Sequence, residues 1–222
     1  MFQLEPRHSP GFMKYAITLS PALSGPFLST ISNLMVYDTI QSTLLSNRLT
    51  WFGFECVCDA RNWTQHQLMS LPSSKESPLL TTDIAGTTIF SIVRNALIVY
   101  SLIAVFPLPL STAPFPELAT KLELDIFEVL EDDDENTAST SLLLWASTMG
   151  ALAAIGTPQR AALVAITARL CEKLLISSWE SMQAVLQDYL WSRDISDFDG
   201  MFLFLDVQNQ MDEQDAVERS LR

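Results

Sequence analysis

The sequence predicts an all-α fold, an irregular multi-helix array, on three observations. Apolar residues recur at three- and four-residue steps in one segment after another, which is the signature of a helical face. The segments are separated by proline-rich or acidic stretches that cannot prolong a helix. Alternating strand patterns are scarce. Of the 222 residues 48% are apolar and 18% charged. That is enough apolar material for a sizeable core and too little charge for a chain disordered throughout.

Each element follows from its own residues. Residues 1–28, rich in Pro, Ser and Gly, read as an irregular N-terminal segment, and 29–205 as the helical domain. From Leu28 to Phe54, Ile31, Leu34, Met35, Ile40, Leu44, Leu45 and Leu49 share a helical face. A second helix runs from Asp59 to Ser70 and stops before Leu71-Pro72; residues 72–82 make a polar connection. The next helix spans Thr82 to Phe106, with Asp83 placed to complement the helix dipole. Prolines at 107, 109, 114 and 116 end it. A shorter helix, Glu117 to Leu130, aligns Leu118, Leu122, Ile126 and Val129. The acids Glu131, Asp132, Asp133, Asp134 and Glu135 then form a solvated loop over 131–137.

Residues 140–155 carry no charge and read as a buried helix. Ala146, Gly150 and Ala154 recur every four residues, a spacing that lets neighbouring helices approach. Thr157 and Pro158 form an N-cap and first helical position for a helix with the stripe Leu163, Ile166, Leu170, Cys171 and Leu174. Ser177 and Glu180 form a capping box for a helix that buries Trp179, Met182, Leu186, Tyr189 and Leu190. Residues 206–222 form a polar, acidic C-terminal tail that frays as a loose helix.

The function classes narrow by exclusion. The net charge of −13 comes from 26 acids against 13 bases, so these residues repel a phosphate backbone. Contact with nucleic acid would have to come from another polypeptide or another segment. Cys56, Cys58 and Cys171 give no disulfide framework. The lone Cys56-Val57-Cys58 supplies two thiolates, with only His66 near it, where a tetrahedral zinc site needs about four ligands. No metal or cofactor is assigned. Glu5, Pro6 and Pro10 interrupt any secretory signal pattern. The clean apolar run from Ala96 to Phe106, preceded by Arg94, and the stretch from Ser141 to Gly156 both fall short of the ~20 residues a bilayer needs, so no membrane span is expected.

Catalytic frames are equally scarce. His8 and His66 are the two imidazoles, Gly150 and Gly156 stand outside any phosphate-loop pattern, and no GxSxG elbow occurs. The chain reads as a non-enzyme. Trp145, Trp179 and Trp191 sit at helical spacing among apolar residues and read as core packing. Arg94 and Arg160 lie beside apolar faces. Arg94, inside an otherwise apolar helix, requires a carboxylate or carbonyl partner.

Five blocks in order carry a resemblance: Arg61-Asn62 with Gln65-His66 and Leu71-Pro72; Arg94 through Tyr100 to Phe106-Pro107-Leu108-Pro109; Leu142 through Trp145 and Gly150 to Arg160; Ser178-Trp179-Glu180; and Leu190-Trp191 followed by Asp199-Gly200. Across residues 30–205 the chain resembles the regulatory region, the fungal-specific transcription factor domain, of fungal zinc-cluster transcription factors. The resemblance implies an all-helical nuclear domain that receives signals, supports dimerisation or contacts other regulators and co-regulators. In that family a six-cysteine cluster holding two zinc ions reads DNA. No position here matches that cluster, so zinc would enter only with an upstream module. Phe202 and Phe204 stand where the family pattern places a closing tryptophan. The alternative reading is a helical small-molecule-binding or protein-interaction module with no transcription role.

Overall fold

The computed structural model describes residues 9–45, 51–73, 84–110, 112, 114–131 and 140–220. Among these residues there are nine α-helices, one π-helical turn and no strand, as the all-α expectation required. They are α1 (Pro10–Ala16), α2 (Pro21–Leu45), α3 (Trp51–Met69), α4 (Ile84–Tyr100) continued by the π-turn (Ser101–Val105), α5 (Phe115–Glu131), α6 (Thr140–Ala153), α7 (Gln159–Lys173), α8 (Trp179–Gln187) and α9 (Arg193–Ser220). Asp83, Leu49 and the acidic run beyond Glu131 lie outside the described residues.

Helix α6 is the hub. A helix apolar on every side has no solvent face to offer and must be enclosed. Every residue from Leu142 to Ala153 is buried, and α4, α5, α7, α8 and α9 all pack on it. Its polar side chains are satisfied locally. Ser147 and Thr148 donate to the Leu144 carbonyl at 3.0 and 2.8 Å, and Thr167 of α7 donates to Ser147 Oγ at 3.1 Å. A Cβ on Gly150 would stand 3.1 Å from Leu163 Cδ2 and 3.3 Å from Leu122 Cβ, so α7 and α5 both lie close against this point of α6. The small-residue spacing thus serves helix packing.

The stretch Thr88–Val105 is 18 residues long with mean hydropathy 1.8, enough by length and composition to cross a membrane, and 78% of it is buried inside the protein. The shorter apolar run expected from sequence stopped at Arg94. In the structure Arg94 remains within the helix because its Nε donates to the Leu71 carbonyl at 3.0 Å, the carbonyl partner the sequence required. After Tyr100 the ladder widens: the Phe106 N–H reaches back to the Ser101 carbonyl at 2.7 Å, and the following Pro107 has no N–H to continue it.

Four expectations need correction. The N-terminal segment is not irregular over its described part: α1 and α2 begin at Pro10 and Pro21, first helical positions at which a missing N–H costs nothing. Phe12 is fully buried, edge-on to Phe27, Trp145 and Tyr189. The Ser9 hydroxyl and the Gly11 N–H both donate to the Asp188 carbonyl, at 2.7 and 2.9 Å, fastening α1 to the end of α8. Second, the stretch after Leu205, expected as a loose, fraying helix, is helical as a continuation of α9 to Ser220, and Val207 is fully buried. Third, the caps shift by one residue. The capping box pairs Ser178 with Ser181 in place of Ser177 with Glu180, and α7 begins after Pro158, with Thr157 donating to the Ala154 carbonyl. The second helix also starts earlier than Asp59, at Trp51.

Candidate functional site

The residues singled out from sequence fall into two groups. The larger lies where α6, α8 and α9 meet. Trp145 is fully buried, and its Nε1 donates to the Leu190 carbonyl at 2.8 Å, so the large indole is enclosed without an orphaned donor. Tyr189 packs beside it with ring centroids 6.0 Å apart and shares a 2.9 Å hydroxyl hydrogen bond with Ser141. Trp191 donates its Nε1 to Asp197 Oδ1 at 2.7 Å; the other oxygen of that carboxylate accepts from Gln183 Nε2 at 2.8 Å. One acid thereby joins α8, the loop after it and α9.

Trp179 meets Trp191 edge-on at 5.9 Å and Phe204 at 6.4 Å. Gly200 completes this cluster, because a Cβ there would stand 2.6 Å from both Trp179 Cη2 and Trp191 Cζ2. Phe204 therefore keeps an aromatic contact, while Phe202 points outward and is 49% exposed. Trp179 itself is only partly buried, unlike Trp145 and Trp191. Glu180, in the first turn of α8, is exposed and complements the helix dipole. Arg160 donates from Nη1 to the Ala151 carbonyl at 2.6 Å and from Nη2 to Asp206 at 2.7 Å, linking the ends of α6 and α7 to α9.

The second group stays on α3 and α4. Arg61 places its guanidinium 4.4 Å from the Phe106 ring centroid. That contact stabilises a cation whose buried Nε has no hydrogen-bond partner among the described residues. His66 is exposed and stacks on Trp63 at 6.1 Å, and Asn62 is exposed. Arg94 belongs here through Leu71.

Titratable chemistry is dispersed. Burial pushes the Cys171 thiol up to about 12, with Glu172 adding to the effect, so the sulfur is a neutral packing group and a poor nucleophile. Burial also raises Tyr15 and, against the opposing hydrogen bond from Ser91, Asp125. No group of three or more His, Cys, Asp or Glu residues that could hold a metal occurs among the described residues. One cavity of about 190 Å³ opens between the π-turn, the loop after it, α6 and α9, lined by Ile103, Leu108, Leu110, Leu152, Ile195, Ser196 and Asp199. Its walls are apolar except for Ser196 and Asp199. It falls below the ~300 Å³ at which drug-sized ligands are held.

Sequence reasoning missed Phe12, Asp197 and this cavity. Ser9-Pro10 followed by Phe12 and Ala16 is a cap, proline and apolar pair that could have revealed α1. No sequence signal marks Asp197 as the acid that Trp191 selects from several neighbours. No protein-family model, no curated protein and no solved structure matches the chain.

Proposed function

We propose that the chain is the helical regulatory and dimerisation region of a fungal zinc-cluster transcription factor, and that it works through protein contacts. The observation that carries the reading is the order and spacing of the five sequence blocks from Arg61 to Gly200. Two further features support it. The fold is all-α. The block residues Trp145, Gly150, Arg160, Trp179, Trp191 and Gly200 all serve helix junctions, which accounts for such residues without any catalytic role.

On this reading the chain is nuclear, non-enzymatic and free of metal. Its partners are other transcription regulators or co-regulators, including a second regulator in a dimer. DNA is read by a zinc-bearing module that these residues do not supply. The charge of −13 fits that division of labour. The test is proximity labelling of the tagged chain in a fungal cell. Nuclear enrichment with labelling of zinc-cluster regulators or co-regulators is expected. A uniformly extranuclear protein that labels none of them would contradict the proposal.

The cavity beneath the π-turn favours the second reading, a small-molecule-binding helical module. A saturable thermal shift with a small apolar ligand, lost on Leu152→Trp, would support it; no shift across an apolar fragment set would remove it.

A further inference from the structure

Helix α9 has two apolar faces where packing accounts for one. Ser196, Gly200, Leu203 and Val207 point into the protein and are buried. On the opposite side, at the spacing of successive helical turns, Phe198, Met201, Phe202 and Leu205 are 69, 42, 49 and 47% exposed. Phe198 and Phe202 pack edge-on with centroids 4.8 Å apart, so the stripe is a formed surface. Leaving four adjacent large apolar side chains in water is unfavourable, and such patches mark interaction sites.

The surroundings of the stripe select its occupant. Asp194 lies at its upstream end, Asp212 and Glu213 at its downstream end, and Asp199 along one side, all exposed; Asp206, on that same side, is already paired with Arg160 at 2.7 Å. Arg193, the cation at the start of α9, is turned away to Gln187 Oε1 at 2.7 Å. A second copy of this chain packed stripe to stripe would set these acids against their own like charges. An anionic lipid surface meets the same repulsion. We propose that the outer face of α9 docks a basic amphipathic helix of a partner protein, whose apolar residues cover Phe198, Met201, Phe202 and Leu205 while its Lys and Arg residues meet the flanking carboxylates. The inference does not rest on the transcription reading, since it follows from apolar exposure and charge on one helix.

The test is fluorescence anisotropy of the full chain against two labelled 18-residue helical peptides. One is built of Leu at three- and four-residue spacing with Lys elsewhere; the other replaces every Lys with Glu. The Leu/Lys peptide is expected to bind and the Leu/Glu peptide not. Phe198→Ser with Phe202→Ser should weaken Leu/Lys binding at least tenfold, while Leu124→Ser with Phe127→Ser, an exposed apolar pair on α5, should leave it unchanged. Circular dichroism checks that both variants fold. If the α9 pair does not fold, Asp194→Asn with Asp212→Asn takes its place and should weaken binding several-fold at low salt. Equal affinity of wild type and α9 variant would reduce the binding to general charge attraction and overturn the proposal. So would Leu/Glu binding of equal strength, wild-type dimers that the α9 variant abolishes in sedimentation, or flotation with anionic vesicles that depends on the stripe.

Discussion

Gly200 lies directly against the indole of Trp191: a Cβ on the glycine would stand 2.6 Å from Cζ2 of that ring. The other side of the same position is closed by Trp179 Cη2, also at 2.6 Å. Trp191 cannot readily retreat, since Asp197 holds it at 2.7 Å, and Trp179, partly buried, packs on Phe204. In a helix interior Gly→Ala gains about 1 kcal/mol from propensity. Overpacking two aromatic rings costs about 1–3 kcal/mol. Gly200→Ala is therefore expected to lower the urea midpoint, and a raised midpoint would show that the α8–α9 junction is loosely packed.

Leu175 makes the opposite case. It ends α7 at φ +56°, in the left-handed region, with its side chain 90% exposed. Around it the Ile176 N–H bonds the Cys171 carbonyl at 2.9 Å and the Leu175 N–H bonds that of Glu172 at 3.0 Å, the Schellman pattern in which glycine is the usual occupant. A side chain in that conformation costs about 1–2 kcal/mol, partly offset by the larger unfolded entropy of glycine. Leu175→Gly should stabilise by about 0.5–1 kcal/mol in a denaturant melt. A loss of stability would mean that the leucine side chain makes a contact worth more than the strain.

Tyr15 carries a hydroxyl that is buried without a hydrogen-bond partner among the described residues, beside Phe27 at 5.5 Å. An unsatisfied buried hydroxyl is unfavourable by about 1–3 kcal/mol. Tyr15→Phe keeps the ring contact and removes the hydroxyl, so the melting temperature should rise. If it falls, the hydroxyl has a partner in solution, such as an ordered water.

Asp125 sets a pH dependence. Burial raises its pKa, outweighing the hydrogen bond from Ser91 Oγ at 3.1 Å and the nearby Lys121. A raised carboxyl pKa means that the folded state holds its proton more tightly than the unfolded state, where the value is about 3.9. The resulting penalty is absent below the unfolded value, grows as pH rises through the folded one, and is complete above it. Asp125→Asn should therefore melt higher than wild type at pH 7 and level with it at pH 3. A difference that is unchanged between the two pH values would rule out titration of Asp125 as its cause.

The parts legible in sequence are those fixed by local pattern. The uncharged run around Trp145 announced a buried helix, and its four-residue spacing of small side chains announced close neighbours. Arg94 inside an apolar helix announced a main-chain or carboxylate partner. What failed did so for tertiary reasons. The Pro-, Ser- and Gly-rich composition of residues 1–28 reads as irregular, yet Pro10 and Pro21 open helices, and α1 is held by Phe12 packing and by the Asp188 carbonyl, 177 or more residues away in sequence. The polar residues after Leu205 read as a loose, fraying helix because, among the residues there whose burial is described, Val207 and Met211 are the apolar ones that pack inward. The π-turn has no local signature beyond Pro107. The pairing of Trp191 with Asp197 depends on how α8 and α9 meet, which no residue spacing reveals.

The most direct test of the central claim is to tether the chain to a DNA-binding module and measure a reporter placed under the matching site in a fungal host. On the proposed reading, a regulatory region working through protein contacts, the tethered chain is expected to change reporter output several-fold in one direction. An equally abundant Phe198→Ser, Phe202→Ser variant measured in parallel would show whether α9 delivers that effect. A folded, nuclear fusion at normal abundance that leaves the reporter unchanged would contradict the proposal.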